Sequence, residues 1–263
     1  MKNTLLFFQM IIIFTSIIGL TSCGDLDLIG IKGSGQVVSS EIETVEIEGI
    51  ILEIPATVYL SQGNTQSIKI DAQQNIFNNI SHTISGDVLK LYFDQPVSKS
   101  EPVVVYMTVK SLKEANINGS GSIISEMEFN TDSQLKIVIN GSGDIDLIAN
   151  ATSVNMLISG SGSIGLVSDC NDIYGEINGS GDINLKGGQA ETSNFLISGS
   201  GNINSYPFVT EYCKVKTYGS GDAYVNAIKM LEVKIIGSGD VFYKGNPGLS
   251  VNVSGSGDVI HIN

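Results

Sequence analysis

Nine copies of the tripeptide Gly-Ser-Gly each place one residue at the next position: Gln36, Ser122, Asp144, Ser163, Asp182, Asn202, Asp222, Asp240 and Asp258. Aspartates recurring at one offset can do two kinds of chemistry. Stacked at the ~4.8 Å spacing of paired strands, they could line up oxygens for Ca²⁺. Two unit charges at that distance repel by roughly 0.9 kcal/mol in water, and several-fold more at an effective dielectric near 20. Alternatively, Asp and Asn cap bends by accepting backbone N–H groups. The interruptions at Ser163 and Asn202 favour the capping role.

Other reactive groups are sparse. His82 and His261 each stand alone, with no Cys or second His at ligand spacing, so neither a metal site nor another cofactor is expected. The serines show no Gly-x-Ser-x-Gly elbow joined to a His and an acid. All 14 cations are lysine, and 27 acidic residues give a formal net charge of -13. A chain so acidic and without arginine is a poor match for phosphate backbones, so nucleic acid is not an expected partner. Arginine is also missing for a polysaccharide-cleaving cleft, and the aspartates follow the repeat instead of clustering. The sequence therefore predicts no catalytic residues. Tyr174, Tyr212, Tyr218 and Tyr224 share even parity and are candidates for an outward contact face.

One cysteine has a specific context. Lys2 precedes an apolar run from Leu5 to Leu20, and Leu20-Thr21-Ser22-Cys23 matches a bacterial lipobox. Residues 1–22 then read as a lipoprotein signal peptide, with Cys23 as the lipid attachment site. Two or more acyl chains, palmitate among them, give stable anchoring to a membrane. Gly24-Asp25-Leu26-Asp27 resembles in part the export-promoting acidic stretch of surface lipoproteins. The expected location is the outer membrane, on its cell-surface or periplasmic side. Cys170 and Cys213 sit at different repeat offsets, which favours two small buried residues over a disulfide.

The elements that must position these residues follow from the repeat. From Gly119 onward the steps between first glycines are 22, 19, 19, 20, 20, 18 and 18 residues. Such a period marks a solenoid. Around each copy every second residue is apolar or glycine, as in Leu135, Ile137, Ile139, Gly141, Gly143, Ile145 and Leu147. Period two is strand, and the parity runs through the glycines without slipping. About 19 residues span roughly 63 Å of extended chain, enough for one coil of a β-helix and too short for a propeller blade. An antiparallel array with Gly-Ser-Gly-Asp hairpins is the alternative, but a turn would not preserve the parity. The glycines are assigned to bends where the wall has no room for Cβ, or where φ must be positive. Central coils should tolerate substitution less than Gly255 in the last one.

Residues 23–35 read as a tether, 36–118 as a β-rich N-terminal half and 119–263 as the repeat β-helix. In the N-terminal half, strand-like runs lie at Val45–Ile47, Ile50–Leu60, Ser67–Asp71, Val88–Phe93 and Val103–Val109. Turn signals stand between them at Gln62-Gly63-Asn64, Ser85-Gly86-Asp87 and Asp94–Pro102. Gln73 to Ile80 fits a short helical turn or a loop.

In layout, this chain resembles the head GIN domain family of auto-transporter adhesins, common as lipoproteins in Bacteroidetes. The resemblance rests on Val45-Glu46-Ile47, Ile54-Pro55-Ala56-Thr57-Val58-Tyr59-Leu60, Gly86-Asp87-Val88-Leu89-Lys90-Leu91, Val103-Val104-Val105-Tyr106 and the repeated Ile-Asn-Gly-Ser-Gly-Asp-Ile unit, as at Ile177 to Ile183. It implies a right-handed parallel β-helix and brings no catalytic residues. The expectation is a lipid-anchored, non-enzymatic adhesive or structural binding module with a glycan or protein ligand. The alternatives are a carbohydrate-active enzyme on the same fold, or a periplasmic scaffold or sensing lipoprotein with a protein partner.

Overall fold

The computed structural model describes residues 30–125 and 127–263. Cys23 and the expected signal peptide, residues 1–22, lie outside them. The fold is a parallel β-solenoid, as the period-two pattern requires. From Gly119 onward each Gly-Ser-Gly forms a corner between two walls; the copy at 33–35 lies outside this stack, just ahead of Val37–Glu41. The first wall stacks Glu114–Gly119, Gln134–Gly141, Ser153–Gly160 and Asp172–Gly179, and continues through the later part of Asp182–Gly199 to Gly248–Gly255. The second wall stacks Ser122–Ser125, Asp144–Asn150 and Ser163–Asp169, and ends at Val241–Lys244 and Val259–His261. Every pair in this region is parallel, so the hairpin array is excluded.

Register follows the glycines. Gly119, Gly141, Gly160, Gly179 and Gly199 stand one above another. The inward parity builds a continuous column in which Ile117, Ile139, Ile158, Ile177 and Ile197 are all fully buried. Burying such a side chain contributes about 1.5–3 kcal/mol, and a column of them fixes strand register, because a one-residue slip would turn the whole column outward.

The same stacking reaches into the N-terminal half, in an order the chain does not announce. Gly49–Leu52 and Ala56–Gln62 form a coil on which the Glu114–Ser125 coil sits. The other side of that coil carries Val88–Phe93 and Val103–Val109. The chain thus lays down one coil, then the coil beyond it, and returns to continue on the opposite side. The run Ile50–Leu60 is divided by the corner at Glu53–Pro55, and Val45–Ile47 belongs to no strand. A proline at residue 55 has no N–H for a ladder, which suits a corner.

Antiparallel strands close this end. Ser67–Gln73 pairs with Val103–Val109, Val37–Glu41 pairs with Ser67–Gln73, and Ile80–Ser85 pairs with Val88–Phe93. Gly86 and Asp87 take φ of 57° and 63°, the geometry of a tight two-residue hairpin. The stretch after Gln73 contains one helical turn, Gln74–Phe77, which buries Ile76. Ile68, Ile70, Ala72 and Ile76 seal the core from water. Ile31 and Lys32 pair in parallel with Val97 and Lys99.

The two glycines of each corner are required for different reasons. The first has a positive φ at every corner from Gly119 on except Gly219, +139° at Gly160, where a Cβ would lie 2.2 Å from the carbonyl oxygen of Gly141. The third is buried with ordinary φ. A Cβ on Gly162 would lie 2.2 Å from the Gly143 oxygen and 2.7 Å from Cγ2 of Ile139. The serine between them points to solvent in copy after copy.

Candidate functional site

The aspartate ladder holds the corners together. The backbone N–H of Asp240 donates to Oδ1 of Asp222 at 2.8 Å, and that of Asp258 donates to Oδ1 of Asp240 at 2.8 Å. The same step links Asn202 N–H to Asp182 (2.9 Å) and Asp222 N–H to Asn202 (3.0 Å). Asn202 fits because an amide oxygen accepts as a carboxylate does. One oxygen of each side chain is therefore committed to the next coil, which is the capping chemistry. Among the described residues, no three His, Cys, Asp or Glu side chains are grouped to hold a metal.

The outer walls continue this ladder logic. Asn140 donates to Asn118 and Asn204 to Asn184, each at 2.9 Å. Gly165 leaves a gap through which Lys186 reaches Asp146, two coils away, at 2.6 Å. His82 is exposed on an antiparallel strand of the sealed end. His261 lies over the ring of Tyr243 (centroids 4.9 Å apart), with Nε2 2.9 Å from the Gly245 carbonyl. The two histidines belong to opposite ends of the solenoid.

The four even-parity tyrosines do not form one face. Tyr174 is half-buried, and its hydroxyl donates to Glu176 at 2.6 Å. Burial, aided by that carboxylate, pushes its pKa up to about 12. Tyr224 stacks face to face on Phe242 (4.9 Å, 6°) and meets Tyr206 edge-on, while Lys244 covers Tyr206. Those ring faces are occupied by one another, so they form a structural stack and no open platform for a sugar ring.

Tyr212 is different. It is 45% exposed and pairs in register with Met230, 37% exposed, and Ile228 nearby is 54% exposed. These three project from the corner opposite the glycines. On one side is a groove of about 320 Å³ lined by Cys170, Gln189, Glu191, Thr210 and Ile228. On the other is one of about 370 Å³ lined by Asn194, Tyr212, Lys214, Met230 and Glu232. Lys229 pairs with Glu211 at 2.5 Å and lies over the Tyr212 ring, 5.5 Å from its centroid. Ile228 and Met230 were not singled out by sequence reasoning. Their signal was present, since Val225, Ala227, Leu231 and Val233 set the inward parity and these two apolar residues fall on the other one.

Cys170 and Cys213 are both unbridged thiols. Cys213 is buried, and burial pushes its pKa up to about 12; for half-buried Cys170, burial raises it to about 11.

Comparison with known proteins places the chain. No curated protein matches it significantly. A crystal structure described as a putative adhesin from Parabacteroides merdae ATCC 43184 is 26% identical, with a TM-score of 0.84 over 89% of this chain and 99% of that one. A putative lipid binding protein from Parabacteroides distasonis ATCC 8503 is 24% identical, with a TM-score of 0.83 over 89% and 99%. A putative adhesin from Bacteroides fragilis NCTC 9343 is 23% identical, with a TM-score of 0.69 over 89% and 100%. The last two show the fold alone. The model of the family described as "putative auto-transporter adhesin, head GIN domain" matches residues 46–187 and 157–247. With most of the described solenoid inside that match, the chain belongs to the head GIN domain family of putative auto-transporter adhesins.

Proposed function

We propose that this chain is an envelope adhesin, anchored through a lipid on Cys23, that holds a protein partner non-enzymatically at the corner formed by Tyr212, Ile228 and Met230. The observation that carries the reading is the exposure of three apolar side chains on adjacent coils, between two grooves. Beside them stand the charged pairs Lys214–Glu232 and Lys229–Glu211. Aromatic and Met side chains in such a setting are the anchors of protein contacts, with the polar surroundings as rim. The family's description as adhesins agrees with this role. The lipobox ending at Cys23 is the basis for the proposed anchor.

The test is binding of the full chain to protein and glycan arrays, with a Tyr212→Ala, Ile228→Asp double variant beside it. Protein binding that the variant loses supports the proposal. Binding to glycans alone would move the ligand to carbohydrate, and cleavage of a polysaccharide would establish the enzymatic alternative.

A further inference from the structure

The two ends of the solenoid differ. At the N-terminal end the core is covered by antiparallel strands carrying Glu41, Lys69 and Asp71. At the other end, the last first-wall strand, Gly248–Gly255, is exposed along its whole length. Its inward positions, Leu249, Val251 and Val253, are 48%, 48% and 40% exposed. In the preceding coil their register partners, Leu231, Val233 and Ile235, are at most 1% exposed. The last coil therefore presents open core side chains and a strand edge without a neighbour among the described residues. Soluble proteins normally blunt such an edge with charge, proline or a bulge. Here residues 245–257 contain no charged side chain, in a chain of net charge -13.

We propose that this end is a self-association surface, which joins two copies of the chain tail to tail. An edge strand is self-complementary about a two-fold axis when it pairs antiparallel with its own copy. Centring the axis on Val251 sets Leu249 against Val253 of the partner subunit, and Val251 against Val251 of the partner subunit. All inward residues then face inward residues, so the two cores join. The absence of charge along the strand lets two acidic chains approach here, where repulsion would oppose contact elsewhere. Because the opposite end is sealed, the contact closes at two copies and cannot propagate into a fibre. The strand is about 27 Å long and the sheets about 10 Å apart, so each copy buries on the order of 300 Å². That is well below the ~800 Å² per partner of a stable interface. The pairing is accordingly weak in dilute solution and is favoured where chains are concentrated on one surface.

Disulfide trapping captures a weak, specific contact. Cells producing the full chain with Val251→Cys are treated with copper phenanthroline as oxidant, and compared with Ser142→Cys, an exposed corner position far from the end. The proposal expects a reducible dimer for Val251→Cys and none for Ser142→Cys. A second variant pair, Val251→Cys with Leu249→Lys, should lose the dimer while its urea melt stays cooperative. Equal trapping at both cysteines, or no trapping at either, would overturn the proposal. Val251→Cys dimers that survive Leu249→Lys would overturn the two-fold register. Native-gel multimers larger than two would overturn the tail-to-tail closure.

Discussion

Gly119 and Gly160 offer a clean separation of two costs. Both occupy the first position of the repeat, with φ of +134° and +139°. An alanine at either must adopt a conformation that costs about 1–3 kcal/mol. Only Gly160 has a carbonyl in the way: its Cβ would sit 2.2 Å from the Gly141 oxygen, whereas Gly119 would meet nothing within 4 Å. Overpacking of this kind adds about 1–3 kcal/mol. Gly160→Ala should therefore lose roughly 2–6 kcal/mol and Gly119→Ala roughly half of that. Ser142→Thr, exposed between two such glycines, should stay within about 0.5 kcal/mol. Urea melts of the variants give the order directly, since differences of this size shift the midpoint clearly. Equal losses at residues 119 and 160 would show that contact between coils is not what excludes the side chain. The structure also corrects the expectation for the last coil. A Cβ on Gly255 would lie 2.0 Å from the Gly237 oxygen, as tight as in the centre, so Gly119 is the tolerant copy and not Gly255.

Three further outcomes are expected. Asp222→Ala removes the acceptor for Asp240 N–H and should cost about 0.5–1.5 kcal/mol. Asp222→Asn should be near neutral and Ca²⁺ should leave the melting temperature unchanged; a calcium-dependent rise that the Asn variant loses would restore the cation reading. For Cys213 the folded pKa is raised to about 12, so its contribution is full below the unfolded value near 9 and is lost as pH rises from there toward 12. Stability should fall by about 1 kcal/mol on that account between pH 9 and 10, the slope steepening toward about 1.4 kcal/mol per pH unit above that, and Cys213→Ala should flatten the slope in urea melts. Cys23→Ser should abolish acyl labelling and membrane retention; unchanged partition would remove the lipid anchor from the account.

Much of the fold is legible in the sequence because one constraint repeats. A glycine at a fixed offset, with apolar residues at every second position on both sides, admits one stacking. Leu135 to Leu147 and Leu231 to Tyr243 state it without help from the rest of the chain. The N-terminal half carries no such marker. Its strands read correctly at Val88–Phe93 and Val103–Val109, but nothing local says that this coil lies beyond Gly49–Gln62 while Glu114–Ser125 lies on the near side. That order is set by long-range pairing. The capping role of the aspartates followed from Asn202 in the series. The contact corner did not emerge from residue type, because Tyr174, Tyr212, Tyr218 and Tyr224 share a parity but point from different places around the coil. Parity separates inside from outside; it does not say which wall or corner an outside residue occupies.

Whole-cell adhesion tests the contact corner at Tyr212, Ile228 and Met230. Cells producing the full chain are layered on the array proteins the purified chain binds, and the force or shear needed to detach them is compared with cells producing the Tyr212→Ala, Ile228→Asp variant at equal surface density. The account predicts retention that falls at least tenfold in the variant, with an unchanged urea midpoint for the purified protein. Equal retention of both, or none above cells lacking the chain, would contradict it.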